Sequence, residues 1–449
     1  MAFMSRLRDP LHLVRAYAGT VFTQGLLLGF GILTGIFTAR ILGPAGRGEL
    51  AAVTVWPGAL ISLAALGINQ AIVYYTGKKI YTVSQVFSAS LIVGIVQGLA
   101  VLLVGAVVLP LSLHNYSHAV LISGFVLLAA SPALMLSGYP GNILQGSGMM
   151  GLFNLTRLAS VVTYVVGLAL IWWLHRATIF NVVVAQVAGI AIAVVVGYTL
   201  LFAKLKPGFD WKPEVATALA RFGFKAQITN LTNYFNQRVD QLIMSLFVKP
   251  TELGLYVVGV TLATSVTFFT QAAGIVTLTR GSSQRHGSTQ SVIGTSFRIS
   301  LVWLAFGCAV LFLAAPWLIT TVFGVRFAGS IVACRILLPG MVAIGLNQVL
   351  YNGASALGKP ALPAYAEGAG MVVTAVGLAL LLPRWGYIGA AVVSTTAYFV
   401  ALAVMLHLLR TRAGFDLKVL FGGKPPEVPI VPEPETANPT AGSEPPTLL

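Results

Sequence analysis

Residues 83–109 read VSQVFSASLIVGIVQGLAVLLVGAVVL and contain no charged side chain. A helix that crosses the hydrocarbon of a bilayer needs about 20 mostly apolar residues, so this stretch predicts a membrane span. Helices are expected because lipid cannot satisfy the open edge of a β-sheet. Further apolar runs between charged or Gly/Pro-rich breaks predict spans at residues 17–42, 50–75, 119–136, 152–174, 179–202, 222–248, 253–278, 293–323, 330–351, 363–382 and 386–409.

The composition agrees with a polytopic membrane protein. Of 449 residues, 57% are hydrophobic and 9% charged, whereas a soluble domain carries about 25% charged residues. The net charge of +15 comes mostly from short loops between spans, so nucleic acid is not an expected partner. Loops on the side of the N-terminus hold sixteen of the 27 Lys and Arg residues, and the opposite loops hold six. This asymmetry predicts cytoplasmic termini.

The spans divide into two sets of six. We expect six-helix lobes at residues 17–202 and 222–412, a cytoplasmic segment at 1–16, a cytoplasmic linker at 203–221 and a disordered Pro-rich cytoplasmic tail at 413–449. Pro44 and Gly48 recur 206 residues later as Pro250 and Gly254. Because six is even, the repeats are parallel, which predicts a pseudo-two-fold normal to the membrane and a site between the lobes.

No catalytic constellation is recognisable in the sequence. The six histidines lack metal-ligand spacing, and no nucleotide-binding lysine motif is present. A membrane-embedded transferase would need carboxylates at the outer surface, where the short predicted loops offer only Glu49 and Glu252. The sequence therefore predicts a protein that is not an enzyme and has no cofactor and no metal.

The seventh predicted span is unusually polar. It carries Arg238 and Asp240 past its middle, and charges at that depth cost a few kcal/mol unless they have a partner or a wet cavity. Two residues apart on a helix, the two side chains point in nearly opposite directions. Amide and hydroxyl residues surround them, among them Asn230, Asn233 and Gln237. This pattern favours a hydrated substrate cavity, with a hydrogen-bonded seam between the lobes as the alternative.

Other charges lie inside predicted spans. Arg157 and Glu367 occupy equivalent places 210 residues apart, so they are candidates for an interlobe salt bridge, with separate snorkelling of each side chain to the interface as the alternative. Arg298 and Arg335 lie near the ends of their spans, and snorkelling accounts for them.

Three stretches carry a resemblance to a known family. They are ARILGPAGRG at residues 39–48, NQRVDQL at 236–242 and KPTELGLY at 249–256. Together they resemble the polysaccharide flippases of the multidrug/oligosaccharidyl-lipid/polysaccharide exporter superfamily. The resemblance implies a MATE-like, all-α protein of about 12 spans in the bacterial inner membrane. It also implies translocation of undecaprenyl-diphosphate-linked oligosaccharide by alternating access. The chain lacks the two additional C-terminal helices of the fourteen-span peptidoglycan-precursor flippases, so that role is less expected.

This resemblance and the polar residues suggest roles for individual side chains. Arginine binds diphosphate through bidentate, permanently charged hydrogen bonds, so Arg238 is the expected principal phosphate-binding cation and Arg40 an outer-side cation. Asn233, Asn230, Gln237 and Gln24 are expected to contact sugar. Asp240 would be a structural partner for a cation or a proton- or sodium-coupling site. Expected partners are the lipid-linked oligosaccharide, the bilayer, and polymerase or other polysaccharide-assembly proteins.

Three other functions remain as alternatives. The first is a multidrug or cation antiporter of the same superfamily, although the N-terminal lobe has no acid inside any predicted span. The second is a polytopic glycosyltransferase or ligase. The third is a membrane scaffold without transport, which would not explain the buried charges.

Overall fold

The computed structural model describes the backbone of residues 10–271, 273–274, 277 and 286–423. It describes side chains from Phe22 onward within these ranges, except at residues 225, 226, 228–230, 233, 236 and 286–288. These residues form twelve α-helices and no strand. The helices are α1 Pro10–Ala64, α2 Ile68–Lys78, α3 Val83–Ser112, α4 His118–Ala129, α5 Ser131–Gly146, α6 Met150–Trp173, α7 Ile179–Leu205, α8 Pro213–Phe247, α9 Pro250–Thr264, α10 His286–Leu318, α11 Ser330–Ala356 and α12 Leu362–Arg412. The predicted all-α class is confirmed.

Two of these helices are bent at glycines and each contains parts of two predicted spans. In α1, Gly43 has φ 69° and ψ −177° immediately before Pro44. In α12, Gly386 has φ 53° and ψ −137°. A positive φ is readily adopted only by glycine, so each glycine forms a sharp bend that joins two helical parts. We refer to the two parts of α1 as the arm before Gly43 and the arm after Gly43.

Nine helical segments in the described part of the chain are long and apolar enough to cross a membrane. Two of them, Phe22–Ala64 and Leu362–Arg412, contain these bends and therefore account for two predicted spans each. The remaining predicted span corresponds to α8, which is too polar to qualify by composition. The chain is thus a multi-pass membrane protein whose helices follow the predicted spans.

The linker between the predicted lobes is shorter than expected. Helix α7 continues to Leu205 and α8 begins at Pro213, so only residues 206–212 of the predicted 203–221 linker are not helical. Proline is favoured in the first turn of a helix because its missing N–H has no partner there. The hydroxyls of Ser84 and Ser88 on α3 accept hydrogen bonds from the backbone N–H groups of Gly208 and Asp210, at 3.0 and 2.8 Å.

The prediction of a disordered tail beginning at residue 413 was wrong for residues 413–423. This segment contains the short helix Leu417–Phe421, and Phe415 and Leu420 are each 1% exposed. Arg298 donates from Nη1 to the carbonyl oxygen of Val419 at 2.7 Å. This arginine therefore binds the segment, whereas we had expected its side chain to extend to the membrane interface. The apolar side chains bury against α10 because burial of apolar area offsets the ordering of a short segment. Residues 424–449 lie outside the described residues.

Helices of each half pack mainly on helices of the same half. In the first half, α6 packs on α7 and α5 packs on both α3 and α7, whereas in the second half α11 packs on α9, α10 and α12. The two groups meet where α1 packs on α8 and α9 and where α2 and α3 pack on α8. The pseudo-two-fold relating the lobes stays a prediction.

Candidate functional site: a cavity between the halves

A cavity of about 650 Å³ lies where α1 meets α8, α9 and α11. Both halves of the chain contribute to its wall. Polar lining residues from the first half are Thr34, Thr38, Arg47, Thr54, Tyr164 and Gln186. Those from the second half are Gln237, Arg238, Gln241, Thr261, Thr264, Ser265, Thr267, Thr270, Gln271, Gln348 and Tyr398. The volume is within the range of natural ligand sites, so the cavity can hold a polar head group.

The charged groups in this wall are both cations. Among the described lining residues, Arg47 and Arg238 are charged and no carboxylate is present. Arg238 is exposed to the cavity and donates from Nη1 to Oε1 of Gln241, on the next turn of α8, at 3.0 Å. This hydrogen bond holds one end of the guanidinium of a side chain that lines the cavity.

Arg47 differs from Arg238 in its surroundings. Its Nε is buried and has no hydrogen-bond partner among the described residues. Tyr164 and Arg238 line the same cavity as Arg47. A buried donor without a partner costs free energy, and two like charges beside one cavity repel each other. An anion bound between the two guanidinium groups would relieve the repulsion between them.

Asp240 points away from the cavity. It is 3% exposed, and its carboxylate accepts hydrogen bonds from the backbone N–H of Gln241 at 2.7 Å and from the hydroxyl of Tyr256. The hydroxyl of Ser394 donates to the same carboxylate at 3.4 Å. Asp240 therefore connects α8 to α9 and α12. Its described partners are hydroxyl and backbone groups, and a role in ion coupling stays a prediction.

The other predicted site residues separate into three groups. Gln237 lines the cavity as expected. Arg40 is not among the lining residues, because its guanidinium donates to the carbonyl oxygens of Thr321 and Val322, the latter at 2.7 Å from Nε. Gln24 is also not among them, and its Oε1 accepts from Nη2 of Arg157 at 3.0 Å. The side chains of Asn230 and Asn233 lie outside the described residues.

Arg157 and Glu367 have different neighbours in this structure. Besides its bond to Gln24, Arg157 lies over the ring of Phe153, 5.4 Å from the ring centroid. Glu367 is 8% exposed and faces the hydroxyl of Tyr351. An interlobe salt bridge between Arg157 and Glu367 therefore stays a prediction.

Arg47 was not predicted to be a cavity residue, because the predicted spans 17–42 and 50–75 leave it in the loop between them. The structure places it in the helical arm after Gly43, which begins at Pro44, six residues before the predicted start of that span. The available signal was Pro44 itself, since proline at a first helical position marks a helix start. No signal in the sequence identified Tyr164, Gln186 and Gln348. A single polar residue in an apolar span does not show which face of the helix lines a cavity.

The wall offers a second kind of chemistry besides its positive charge. The hydroxyls of Thr34, Thr54 and Thr264 donate to carbonyl oxygens of their own helices, at 2.9, 2.8 and 2.9 Å. Their oxygens keep acceptor capacity directed at the cavity. Glutamine side chains on α7, α8 and α11 supply both donors and acceptors. Such a surface matches a ligand with many hydroxyl groups.

Comparisons with known proteins agree with this architecture. Residues 17–278 match the family model described as "Polysaccharide biosynthesis protein". No significant match was found among curated protein sequences.

Several solved structures share the fold. A multidrug resistance MATE family transporter of the MOP superfamily, in an inward-facing conformation, aligns with TM-score 0.74 at 15% identity over 86% of this chain and 94% of that one. The lipid II flippase MurJ, in an inward closed conformation, aligns with TM-score 0.70 at 14% identity over 91% and 89%. A MOP superfamily transporter from Pyrococcus furiosus aligns with TM-score 0.59 at 16% identity over 89% and 95%. Since the family model covers more than half of the sequence, this chain belongs to the polysaccharide biosynthesis protein family, with the fold of the MOP superfamily transporters.

Proposed function

We propose that this protein translocates undecaprenyl-diphosphate-linked oligosaccharide across the bacterial inner membrane by alternating access, for the assembly of cell-surface or exported polysaccharide. The observation that carries the proposal is the cavity between the halves, whose charged described lining residues are Arg47 and Arg238. The family assignment and the similarity to MurJ, whose described substrate is lipid II, support a lipid-linked substrate.

The cavity chemistry suits the proposed head group. A diphosphate diester carries about two negative charges, and arginine binds phosphate through paired, permanently charged hydrogen bonds. Arg238 supplies such donors, and Arg47 adds a second positive charge, in a wall without described carboxylates. The threonine and glutamine side chains around them would bind sugar hydroxyls. We assign diphosphate binding to Arg47 and Arg238 and sugar contact to Gln237, with Asn230 and Asn233 as further candidates.

A lipid-linked substrate also needs an opening toward the bilayer for its prenyl chain. The arm of α1 before Gly43 and the helix α9 approach each other at Gly35, where a Cβ atom would lie 3.4 Å from Cγ2 of Thr261. At Gly31 and Gly29, farther along this arm, no atom of the described residues lies within 4 Å of such a Cβ. Gly31 lines the cavity and Gly29 is exposed. This open space supports a sideways opening beside the arm of α1 before Gly43.

The two arginines provide the test. We expect Arg47→Ala and Arg238→Ala each to abolish translocation of a fluorescent prenyl-diphosphate oligosaccharide in proteoliposomes and glycan export in cells. Arg238→Lys, which keeps the charge without the paired donors, should retain a fraction of the activity. Arg176→Ala is the matched control, because Arg176 is exposed in the segment between α6 and α7. Normal translocation by both alanine variants at normal membrane levels would refute the assignment.

A multidrug or cation antiporter remains the second candidate because the MATE transporter shares the fold. Cationic drugs would require an acidic wall, whereas the described wall is cationic. Drug-efflux measurements in cells that overproduce the protein separate the two functions: efflux that survives Arg238→Ala would favour the antiporter. A polytopic glycosyltransferase or ligase would instead yield a covalently changed glycan, which mass spectrometry of the lipid-linked pool detects.

A further inference from the structure

The two helices that follow the repeated Pro-x-x-x-Gly pattern touch each other backbone to backbone. A Cβ atom on Gly48 would overlap the carbonyl oxygen of Pro250. Conversely, a Cβ atom on Gly254 would overlap the carbonyl oxygen of Pro44. Any residue other than glycine at either position would therefore force the two backbones apart. Close backbone approach of this kind is the structural use of glycine between membrane helices.

This contact is reciprocal. Gly48 contacts Pro250, and Gly254 contacts Pro44. The two glycines are 206 residues apart in the sequence, and so are the two prolines. Reciprocal contacts between equivalent residues are what a two-fold axis generates at a self-complementary interface. The arm after Gly43 and the helix α9 therefore meet backbone to backbone in their own first turns.

A second connection between the halves lies close to this crossing. Arg40 belongs to the first half, and its guanidinium binds the carbonyl oxygens of Thr321 and Val322 in the second half. These carbonyls lie in the π-helical turn Ile319–Phe323 that ends α10. The last carbonyl groups of a helix lack intrahelical partners and carry partial negative charge, so they are a favourable site for a cation.

The crossing stands at one end of the cavity. Arg47 and Leu50 line the cavity and flank Gly48 in the same arm, and Val257 lines it one turn after Gly254. Leu253, next to the crossing, is fully buried. The backbone contact thus closes the cavity at the end of Pro44 and Pro250, the predicted outer side.

We propose that the Gly48–Gly254 crossing, held by Arg40, is the gate at this end of the cavity and separates during each transport cycle. The inference rests on the proposed function for its role in transport. Opening requires the arm after Gly43 and the helix α9 to part at this backbone contact and Arg40 to release two carbonyl groups.

The test measures access to the cavity and needs no glycan. The reporter is Thr34→Cys, because Thr34 lines the cavity in the arm before Gly43. A membrane-impermeant maleimide is applied from each face of sealed vesicles of known orientation, and the parent without the reporter corrects for Cys308 and Cys334, which are buried. With the gate closed, labelling from the gate face should be slow. Gly48→Ala wedges the crossing and should raise that labelling rate by about tenfold.

Gly29→Ala is the matched control, because no atom of the described residues lies within 4 Å of a Cβ there. Equal gate-face labelling in folded Gly48→Ala and Gly29→Ala proteins would overturn the proposal. If Gly48→Ala does not reach the membrane, Arg40→Ala replaces it, since it releases the latch without changing the crossing. Gate-face labelling unchanged by Arg40→Ala would then refute the gate. Altered labelling in a protein that moves no glycan would instead retain the gate and refute the proposed substrate.

Discussion

Replacing Arg47 by methionine should affect stability and transport in opposite directions. The guanidinium lies in the wall of the cavity with its Nε buried and without a hydrogen-bond partner among the described residues. A buried unsatisfied donor costs about 1–3 kcal/mol, more when it is charged. Methionine has a similar length and no polar atom, so Arg47→Met should stabilise the substrate-free protein by about 1–2 kcal/mol.

The same change should impair transport. Each charge-assisted hydrogen bond to phosphate contributes about 1.5–3 kcal/mol, so losing a bidentate contact of about 3 kcal/mol lowers the translocation rate by about 100-fold. A gain in stability together with a loss of transport is expected where a residue serves binding at the expense of stability. The assays are thermal unfolding in detergent without substrate and translocation in proteoliposomes.

Arg238→Met separates the two effects. Arg238 is exposed to the cavity and already bonded to Gln241, so its removal should impair transport without stabilising the protein. The reasoning would be refuted if Arg47→Met lowered the unfolding temperature and preserved transport. It would also be refuted if both variants stabilised the protein equally, because the buried Nε would then not be the cause.

Three further predictions concern the scaffold. Asp240→Ala should destabilise the protein by about 2–4 kcal/mol in thermal unfolding, because the hydroxyl of Tyr256 loses its acceptor, whereas Asp240→Asn should cost less than half as much. Phe415→Asp should lower thermal stability by about 3–5 kcal/mol, because Phe415 is buried. A stop codon after Gly423 should leave thermal stability unchanged, because the Pro-rich sequence of residues 424–449 predicts disorder. Burial raises the pKa of Tyr116, in the loop after α3, to about 12 from 10.0, so its contribution to stability is full below pH 10 and lost as pH rises toward 12. Tyr116→Phe should flatten that loss in unfolding curves measured from pH 9 to 12.

The comparison of Arg40 with Arg47 indicates how far the site could be predicted. Both belong to the stretch ARILGPAGRG, in which we expected Arg40 to bind the substrate and Arg47 to lie in the loop between the first two spans. Gly43 lies between them and reverses the chain, so the two side chains belong to different arms of α1. One arm directs Arg47 into the cavity, whereas the other directs Arg40 to the end of α10. Only the positions of both arms in the folded protein show that Arg47 lines the cavity and that Arg40 binds the end of α10.

Arg238 and Asp240 were predictable in a different way. Their opposite directions follow from helix geometry alone, so one had to face the cavity if the other faced packed helices. The choice between them depended on α9 and α12, whose Tyr256 and Ser394 hydroxyls surround the carboxylate. The short ordered segment after Arg412 was missed for a similar reason, because its few apolar residues become significant only when α10 lies beside them.

The sequence by itself determined that this chain is a bundle of membrane helices, where the spans lie, and that α8 is unusually polar for a membrane helix. These properties are local, because the bilayer is a uniform solvent that requires each span to be long, apolar and internally hydrogen-bonded. The tertiary structure decided which polar side chains share one cavity, which are used to bind neighbouring helices, and that two glycines 206 residues apart meet. Those properties depend on the relative placement of helices distant in the chain, which apolar patterning leaves open since many pairings of apolar faces bury similar surfaces.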